Sequence, residues 1–216
     1  MREAPSPRDA QGATAGPAAL DAQALARSGE RIGHGRNLTK ADVYLVRDGD
    51  RAFVVKTVAG RPALARLLLA GVLLRREGRI LAKLRGTPGV PELIEATATS
   101  LVIEWRPGRT LFDLRWAGIS EQTAERITDV VAGIHARGFA HGDIGRRDVL
   151  VARGGPVTLL DFATAVGPGT PPVFWRVLLP IWRRRDAASL GKLVSRYRQA
   201  RENRNAAKQA HGRTAS

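Results

Sequence analysis

The stretch HGDIGRRDVLV, residues 141–151, places a histidine and two carboxylates directly before a short apolar run. His141, Asp143 and Asp148 stand at its first, third and eighth positions. The apolar end predicts a short strand, and VTLLDF at 157–162 predicts a second strand after a Gly-Gly-Pro turn. The stretch therefore predicts a small hairpin that carries acidic residues, and its meaning depends on what the rest of the chain supplies.

Upstream, a second predicted hairpin places a lysine among apolar residues. VYLVR at 43–47 and RAFVVKTV at 51–58 flank the pair Asp48-Gly49, which is typical of a tight turn. Alternation along the second strand puts Lys56 on one face together with two valines. A lysine in such a position indicates that its ammonium group has a partner.

A carboxylate on the next predicted element is a candidate for that partner. Residues 62–84 are predicted to form a helix, in which Glu77, Ile80, Leu81 and Leu84 share one stripe. If Glu77 faces inward it needs a cation or several donors, because a buried charge is costly without them. The alternative is that it lies at the edge of the stripe and reaches water.

Together these residues resemble the signature of the protein-kinase-like superfamily, whose catalytic loop reads H-R-D-L-x-x-x-N and whose metal motif reads D-F-G. Asp161-Phe162-Ala163 follows the loop as the metal motif does. The resemblance covers about residues 31–165. The resemblance is closest to the small bacterial lipopolysaccharide (Kdo/heptose) kinases and the RIO-type kinases. Two features indicate this, the segment LTKADVYLV at 38–46 and a shortened C-terminal half. In this superfamily the residue at His141 usually braces the loop.

The resemblance implies an α+β, two-lobed protein-kinase-like fold with a reduced C-terminal lobe, and ATP and Mg²⁺ as cofactors. Lys56 would hold the α- and β-phosphates, and Glu77 would orient it. Asp161 and Asp148 would bind Mg²⁺, for which aspartate is as good a hard ligand as asparagine. Asp143 would orient the acceptor hydroxyl and take its proton.

The chain departs from the family pattern at several positions. Gly145 replaces the loop lysine that contacts the γ-phosphate, and Arg146 or Arg147 would have to supply the lost charge. Gly142 replaces the loop arginine, which implies that no phosphorylated activation loop is read. Ala163 replaces the glycine of the metal motif.

The match to the glycine-rich phosphate-binding loop of kinases is weak. Gly33 and Gly35 give G-x-G, which either contacts phosphate or is a flexible lead-in, and Lys40 is an equally reasonable phosphate ligand by analogy with RIO-type kinases. The nucleotide base is expected against the backbone of Glu104, Trp105 and Arg106.

The chain divides into a disordered segment at 1–30, a kinase-like domain at 31–199 and a disordered basic tail at 200–216. The domain is expected to have an N-lobe at about 31–105 and a C-lobe at about 106–199. Its 44% hydrophobic and 25% charged residues are typical of a globular protein. No run of about 18 apolar residues, no secretory signal and no cysteine is present, which favours a cytoplasmic location.

The charge predicts a polyanionic partner. There are 35 Lys and Arg against 20 Asp and Glu, a formal charge of +15, which suits an anionic membrane, a phosphorylated glycolipid or, less well, nucleic acid. An arginine-rich codon bias is a partial alternative cause. The segment PPVFWRVLLPIWRRR at 171–185 is either an interfacial anchor or a buried helix with a solvated Arg end. Asp186 is expected to cap a closing helix.

Three functions remain open at this level. The first is a kinase for a sugar hydroxyl on lipopolysaccharide or a related glycolipid, at the inner face of the cytoplasmic membrane. The second is a RIO-like serine/threonine protein kinase, and the third is a nucleotide-binding pseudokinase scaffold. The retained acidic residues argue against the third.

Overall fold

The computed structural model of the chain describes residues 22–33, 41–60, 62, 71–115, 119–169 and 172–214. These residues form two lobes, one built on a five-stranded antiparallel sheet and one built on helices and a three-stranded sheet. The two-lobed α+β arrangement expected from the sequence is confirmed.

The first lobe contains β1 (Glu30–Gly33), β2 (Asp42–Asp48), β3 (Arg51–Thr57), β4 (Leu93–Ala96) and β5 (Ser100–Glu104), in the order β1-β2-β3-β5-β4. The predicted hairpin is β2–β3, and Lys56 lies opposite Val43 and Leu101. Asp48 pairs with Arg51, so the turn residues are Gly49 and Asp50 rather than Asp48 and Gly49. Gly49 has φ 57°, a conformation that favours glycine.

The outer face of this sheet is covered by α1 (Ala22–Ser28), which packs through Ala22 and Ala26. Phe53 and Val55 of β3 point to this helix, whereas Lys56 points to the other face. The prediction that residues 1–30 are disordered is therefore wrong for 22–30. The sheet is apolar on both faces, so its outer face needs a cover, and α1 supplies apolar residues one turn apart.

The other face packs against α2 (Gly71–Lys83), the described part of the helix predicted over 62–84. Gly78 lets this helix approach β5 closely, since a Cβ there would lie 2.8 Å from Leu101 Cδ2. The close approach brings the inward stripe of α2 over the cleft between the lobes.

The second lobe contains β6 (Arg109–Thr110), α3 (Leu111–Leu114), α4 (Glu121–Ala136), β7 (Val149–Val151) and β8 (Val157–Leu159). The last two strands are the predicted acidic hairpin. Ser120 and Thr123 form a capping box at the start of α4, as the sequence predicts for Ser120. One apolar core runs through both lobes and includes Leu81 and Leu101 from the first with Ile127 and Phe162 from the second.

The chain ends in α5 (Pro172–Thr214), which corrects two predictions. Asp186 lies well inside this helix and does not cap it, and residues 200–214 are helical rather than disordered. The tail is rich in good helix formers, and Arg198 and Arg201 also bind Glu121 of α4, at 2.9 and 3.5 Å. Among the described residues, no helix is both long and apolar enough to cross a membrane.

Candidate active site

A cleft between the two lobes has an empty volume of about 620 Å³, which includes space open to solvent. Its apolar walls include Val54 and Ile103 from the sheet and Leu150 from the second lobe. Its polar groups include Lys56, Glu77 and Asp161, so residues that are far apart in sequence meet in one cavity. A largely apolar cavity with a charged end suits a nucleotide.

Lys56 and Glu77 form the ion pair at the charged end of the cleft. The Lys56 Nζ lies 2.5 Å from Glu77 Oε1, and Glu77 is only 4% exposed. Of the two placements open for Glu77, the inward one is therefore observed. Burial alone would lower the pKa of Lys56, but the charges of Glu77, Asp161 and Asp148 outweigh burial and raise the pKa above its ordinary value. The lysine is thus held protonated, and it faces three carboxylates.

Asp161 follows β8 in a left-handed conformation, with φ 62° and ψ 75°. Its Oδ1 accepts a hydrogen bond from the Ala163 N–H at 3.4 Å. Phe162 is fully buried, and its ring lies edge-on to His141 with centroids 5.0 Å apart. Burial of Phe162 on one side leaves the carboxylate of Asp161 exposed in the cleft.

In the stretch 141–151, which resembles a kinase catalytic loop, a carboxylate of the stretch itself closes a turn. Asp148 Oδ2 accepts the Gly145 N–H at 2.9 Å, and a Cβ on Gly145 would lie 3.0 Å from the same oxygen. The small residue at this position therefore fits a tight turn. His141 is buried with Nε2 2.9 Å from the Leu160 carbonyl, and its Nδ1 accepts the Asp143 N–H at 3.4 Å. These contacts are those of a bracing residue, and they leave the Asp143 side chain exposed.

Asp148 and Asp161 fit a divalent cation. Burial is the main reason that the pKa of Asp148 rises to about 6, and the charges of Asp161 and Asp143 raise it further against the opposing effects of Gly145 and His141. A bound cation would favour the charged form of Asp148, which burial and the neighbouring charge of Asp161 disfavour. The described residues contain no cluster of three or more metal-ligating side chains, but Mg²⁺ is usually held by one or two carboxylates together with substrate phosphates.

Asp186 is the site residue that the sequence prediction missed. It is 0% exposed, and its Oδ2 and Oδ1 accept the N–H groups of His141 and Gly142 at 2.9 and 2.7 Å. His135 Nε2 lies 2.8 Å from Oδ2. Asp186 thus ties α5 to the start of the catalytic-loop stretch. A signal for this was present, because Asp186 shares a helical stripe with the buried Leu193 and Tyr197.

The structure also explains the glycine that replaces the loop arginine. Gly142 has φ 85°, and a Cβ there would lie 1.9 Å from Trp182 Cδ1. Trp182 donates its Nε1–H to the Thr164 carbonyl at 2.9 Å, which fixes the indole over Gly142. A side chain at this position is excluded by both the backbone conformation and the ring.

The remaining nucleotide-contact predictions have mixed outcomes. Gly33 ends β1 opposite Val43, and Gly35 and Lys40 lie outside the described residues. The amides of Glu104 and Trp105 are already used, since they donate to the carbonyls of Glu92 and Ala52. Among the described residues, the backbone N–H of Arg106 has no hydrogen-bond acceptor, in contrast to those of Glu104 and Trp105. The Arg106 guanidinium pairs with the Glu104 carboxylate at 2.7 Å.

Arg146 and Arg147 were expected to supply the positive charge that is lost because Gly145 replaces the loop lysine. Neither arginine is among the described residues that line the cleft. The guanidinium carbons of Arg146 and Arg147 instead lie 5.3 and 4.0 Å from the ring centroid of Phe112 in α3. Both arginines of the stretch 141–151 therefore stack on Phe112, and neither lines the cleft.

Comparison with known proteins supports the fold. No protein-family model matches the chain, and no curated protein matches its sequence. Among solved structures, it is similar to the Rio2 kinase–ADP/Mg²⁺–phosphoaspartate complex from Chaetomium thermophilum, with a TM-score of 0.56 and 18% identity. The match covers 78% of this chain and 55% of that kinase, so the chain spans about half of its length. At this identity the similarity speaks for the fold, and we conclude that the chain has a protein-kinase-like fold.

Proposed function

We propose that the protein is an ATP- and Mg²⁺-dependent phosphotransferase that acts on a hydroxyl group. The observation that carries the proposal is the meeting of Lys56, Glu77 and Asp161 in one cleft. Asp148 lies close enough to help raise the pKa of Lys56, and Asp143 is exposed and close enough to help raise the pKa of Asp148. Phosphoryl transfer needs positioning and charge neutralisation more than covalent help from the protein, and these residues supply both. The ADP and Mg²⁺ in the complex of the similar kinase agree with these cofactors.

In the proposed reaction, the acceptor oxygen forms a bond to the γ-phosphorus while the bond from that phosphorus to the ADP oxygen breaks. Lys56, oriented by Glu77, holds the phosphates. Asp143 accepts a hydrogen bond from the acceptor hydroxyl and takes its proton as the new bond forms. Asp148 and Asp161 would hold Mg²⁺, which would neutralise phosphate charge when bound.

We propose a sugar hydroxyl of lipopolysaccharide or a related glycolipid as the acceptor. The sequence resemblance to lipopolysaccharide kinases and the charge of +15 support this choice. A RIO-like serine/threonine protein kinase is the second candidate, favoured by the structural similarity to Rio2 kinase. A pseudokinase scaffold rests on Gly145 and Ala163 alone.

One labelling experiment separates these functions. The protein is incubated with γ-labelled ATP, Mg²⁺ and separate lipid, protein and RNA fractions of cells. We expect label in the glycolipid fraction. Label in protein alone would favour the RIO-like function, and bound ATP with no transfer to any fraction would leave the nucleotide-binding scaffold.

We further propose that the start of α5 contacts an anionic membrane at the inner, cytoplasmic face. Val177 and Ile181, one turn apart, are 65% and 47% exposed, and Arg176 and Arg184 are exposed close to them. This combination of apolar and basic side chains suits a membrane interface. The anchor does not use Arg183, which donates to the His135 carbonyl at 2.5 Å.

Replacing Arg176 and Arg184 with Gln is expected to weaken binding to vesicles of phosphatidylcholine and phosphatidylglycerol roughly 30-fold. Each basic residue near an anionic surface contributes about 1 kcal/mol, and the two changes together remove about 2 kcal/mol. Vesicle co-sedimentation at low salt measures the effect. The matched control is the double change of the exposed Arg51 and Arg153 to Gln. The membrane contact would be contradicted if both double variants lost vesicle binding equally, or if binding by the parent protein did not depend on phosphatidylglycerol.

A further inference from the structure

Two arginine–aromatic stacks contact the segments of chain on either side of the exposed Asp143. The guanidinium carbon of Arg147 lies 4.0 Å from the ring centroid of Phe112, and that of Arg185 lies 5.2 Å from the ring of Trp182. Each stack belongs to a different element, α3 for one and α5 for the other. The function described so far uses neither arginine.

The first stack is attached to the loop that follows Asp143. The Phe112 N–H donates to the Arg146 carbonyl at 2.9 Å, and the Asp148 carboxylate closes the turn through Gly145. Phe112 is 39% exposed although it is aromatic, and Arg147 beside it is exposed as well. The turn therefore fixes the position of this stack relative to Asp143.

The second stack lies against the residue that precedes Asp143. Trp182 rests directly on Gly142 and is held there by its hydrogen bond to the Thr164 carbonyl. Arg185 is exposed on the next turn of the helix and covers the indole. Both stacks are thus anchored by hydrogen bonds to the segments that carry the site, within a few residues of Asp143.

Neither arginine is neutralised by a carboxylate among the described residues. Within the described part of the chain, no carboxylate lies within ion-pair distance of Arg147 or Arg185, whereas other arginines of the fold are paired. An arginine stacked on a ring keeps its N–H groups in the guanidinium plane, where they match the oxygens of a phosphate or carboxylate. Stacking also restricts the side chain beforehand, which reduces the entropy lost on binding.

We propose that Arg147 and Arg185 bind a negatively charged group of the acceptor, a phosphate or a carboxylate, and so direct its hydroxyl to Asp143. This inference rests on the proposed phosphotransferase function and adds the chemical class of the acceptor. The two arginines recognise a group that does not react, and the nucleotide is held by other residues. An acceptor that lacks an anionic group would leave both positive charges unpaired beside the site.

The test is a binding experiment that does not require turnover. The full chain, with Mg²⁺ and a non-hydrolysable ATP analogue at saturation, is titrated with glucose 6-phosphate, glucuronate and glucose by calorimetry. We expect at least one of the two anionic sugars to bind and glucose not to bind, and the stronger of the two distinguishes phosphate from carboxylate. Arg147→Gln and Arg185→Gln are each expected to weaken anion binding about tenfold, as for the loss of a charge-assisted hydrogen bond.

The matched controls are Arg196→Gln, further along α5 than Arg185, and Arg153→Gln in the turn between β7 and β8. Both remove an exposed positive charge and are expected to leave anion binding unchanged. Binding of glucose as strong as that of the anionic sugars would overturn the proposal, and so would equal losses in the controls.

A separate titration with the ATP analogue keeps the two ideas apart. If ATP fails to bind while the arginine-dependent anion binding persists, the phosphotransferase function is wrong and the anion site stands. If ATP binds but neither anionic sugar binds more tightly than glucose, the anion site is wrong and the phosphotransferase function stands.

Discussion

Asp143→Asn is expected to lower the rate of phosphate transfer about 100- to 10,000-fold, the usual contribution of a general base, while ATP affinity stays unchanged. The side chain is exposed and is not among the described residues that line the nucleotide cleft. Its backbone N–H donates to His141 Nδ1, so the loop retains its conformation in the variant. Single-turnover transfer from labelled ATP gives the rate, and calorimetry with an ATP analogue gives the affinity.

Asp129→Asn is the matched control for this change, because it removes an exposed carboxylate on α4 in the same lobe. It is expected to transfer phosphate at the parent rate. Transfer by Asp143→Asn within a few-fold of the parent would show that Asp143 is not the base. A fall in ATP affinity equal to the fall in rate would assign the residue to nucleotide binding instead.

The residues of the cleft were predictable because each contrasts with its local pattern. Lys56 is a charge among alternating valines, and Glu77 is a charge on an apolar helical stripe. Periods of two and 3.6 residues place Lys56 on a strand face with valines and Glu77 on an apolar stripe, but they left open whether Glu77 faces inward or reaches water. The resemblance to the protein-kinase-like superfamily implied that the two residues meet, and they form an ion pair at 2.5 Å.

The parts that escaped prediction depend on pairs of distant segments. Nothing near Ala22 in sequence shows that the outer sheet face will need α1 as a cover. The helical tail is tied to α4 through Glu121, about 80 residues earlier. Asp186 at a helix start would act as a cap, but as a buried side chain in the middle of a helix it must find donors elsewhere. Those donors are backbone groups that side-chain patterns do not reveal.

Asp186→Ala is expected to lower the free energy of unfolding by about 3–5 kcal/mol, which is a large part of the stability of a small protein. The change leaves the buried N–H groups of His141 and Gly142 without an acceptor, and each such group costs about 1–3 kcal/mol. It also removes the oxygen that lies 2.8 Å from His135 Nε2. Urea unfolding followed by circular dichroism measures the difference.

Asp186→Asn and Asp129→Ala make this test specific. Asn keeps one oxygen that accepts a loop N–H, but it turns an NH₂ group toward the other N–H. The free energy of unfolding of Asp186→Asn should therefore lie between those of the parent and Asp186→Ala. Asp129 is exposed, and its replacement is expected to change stability by less than about 0.5 kcal/mol. A loss below about 1 kcal/mol for Asp186→Ala would mean that the loop amides find other acceptors. In that case α5 would not hold the loop, and the position of Asp143 would depend on His141 and Asp148 alone.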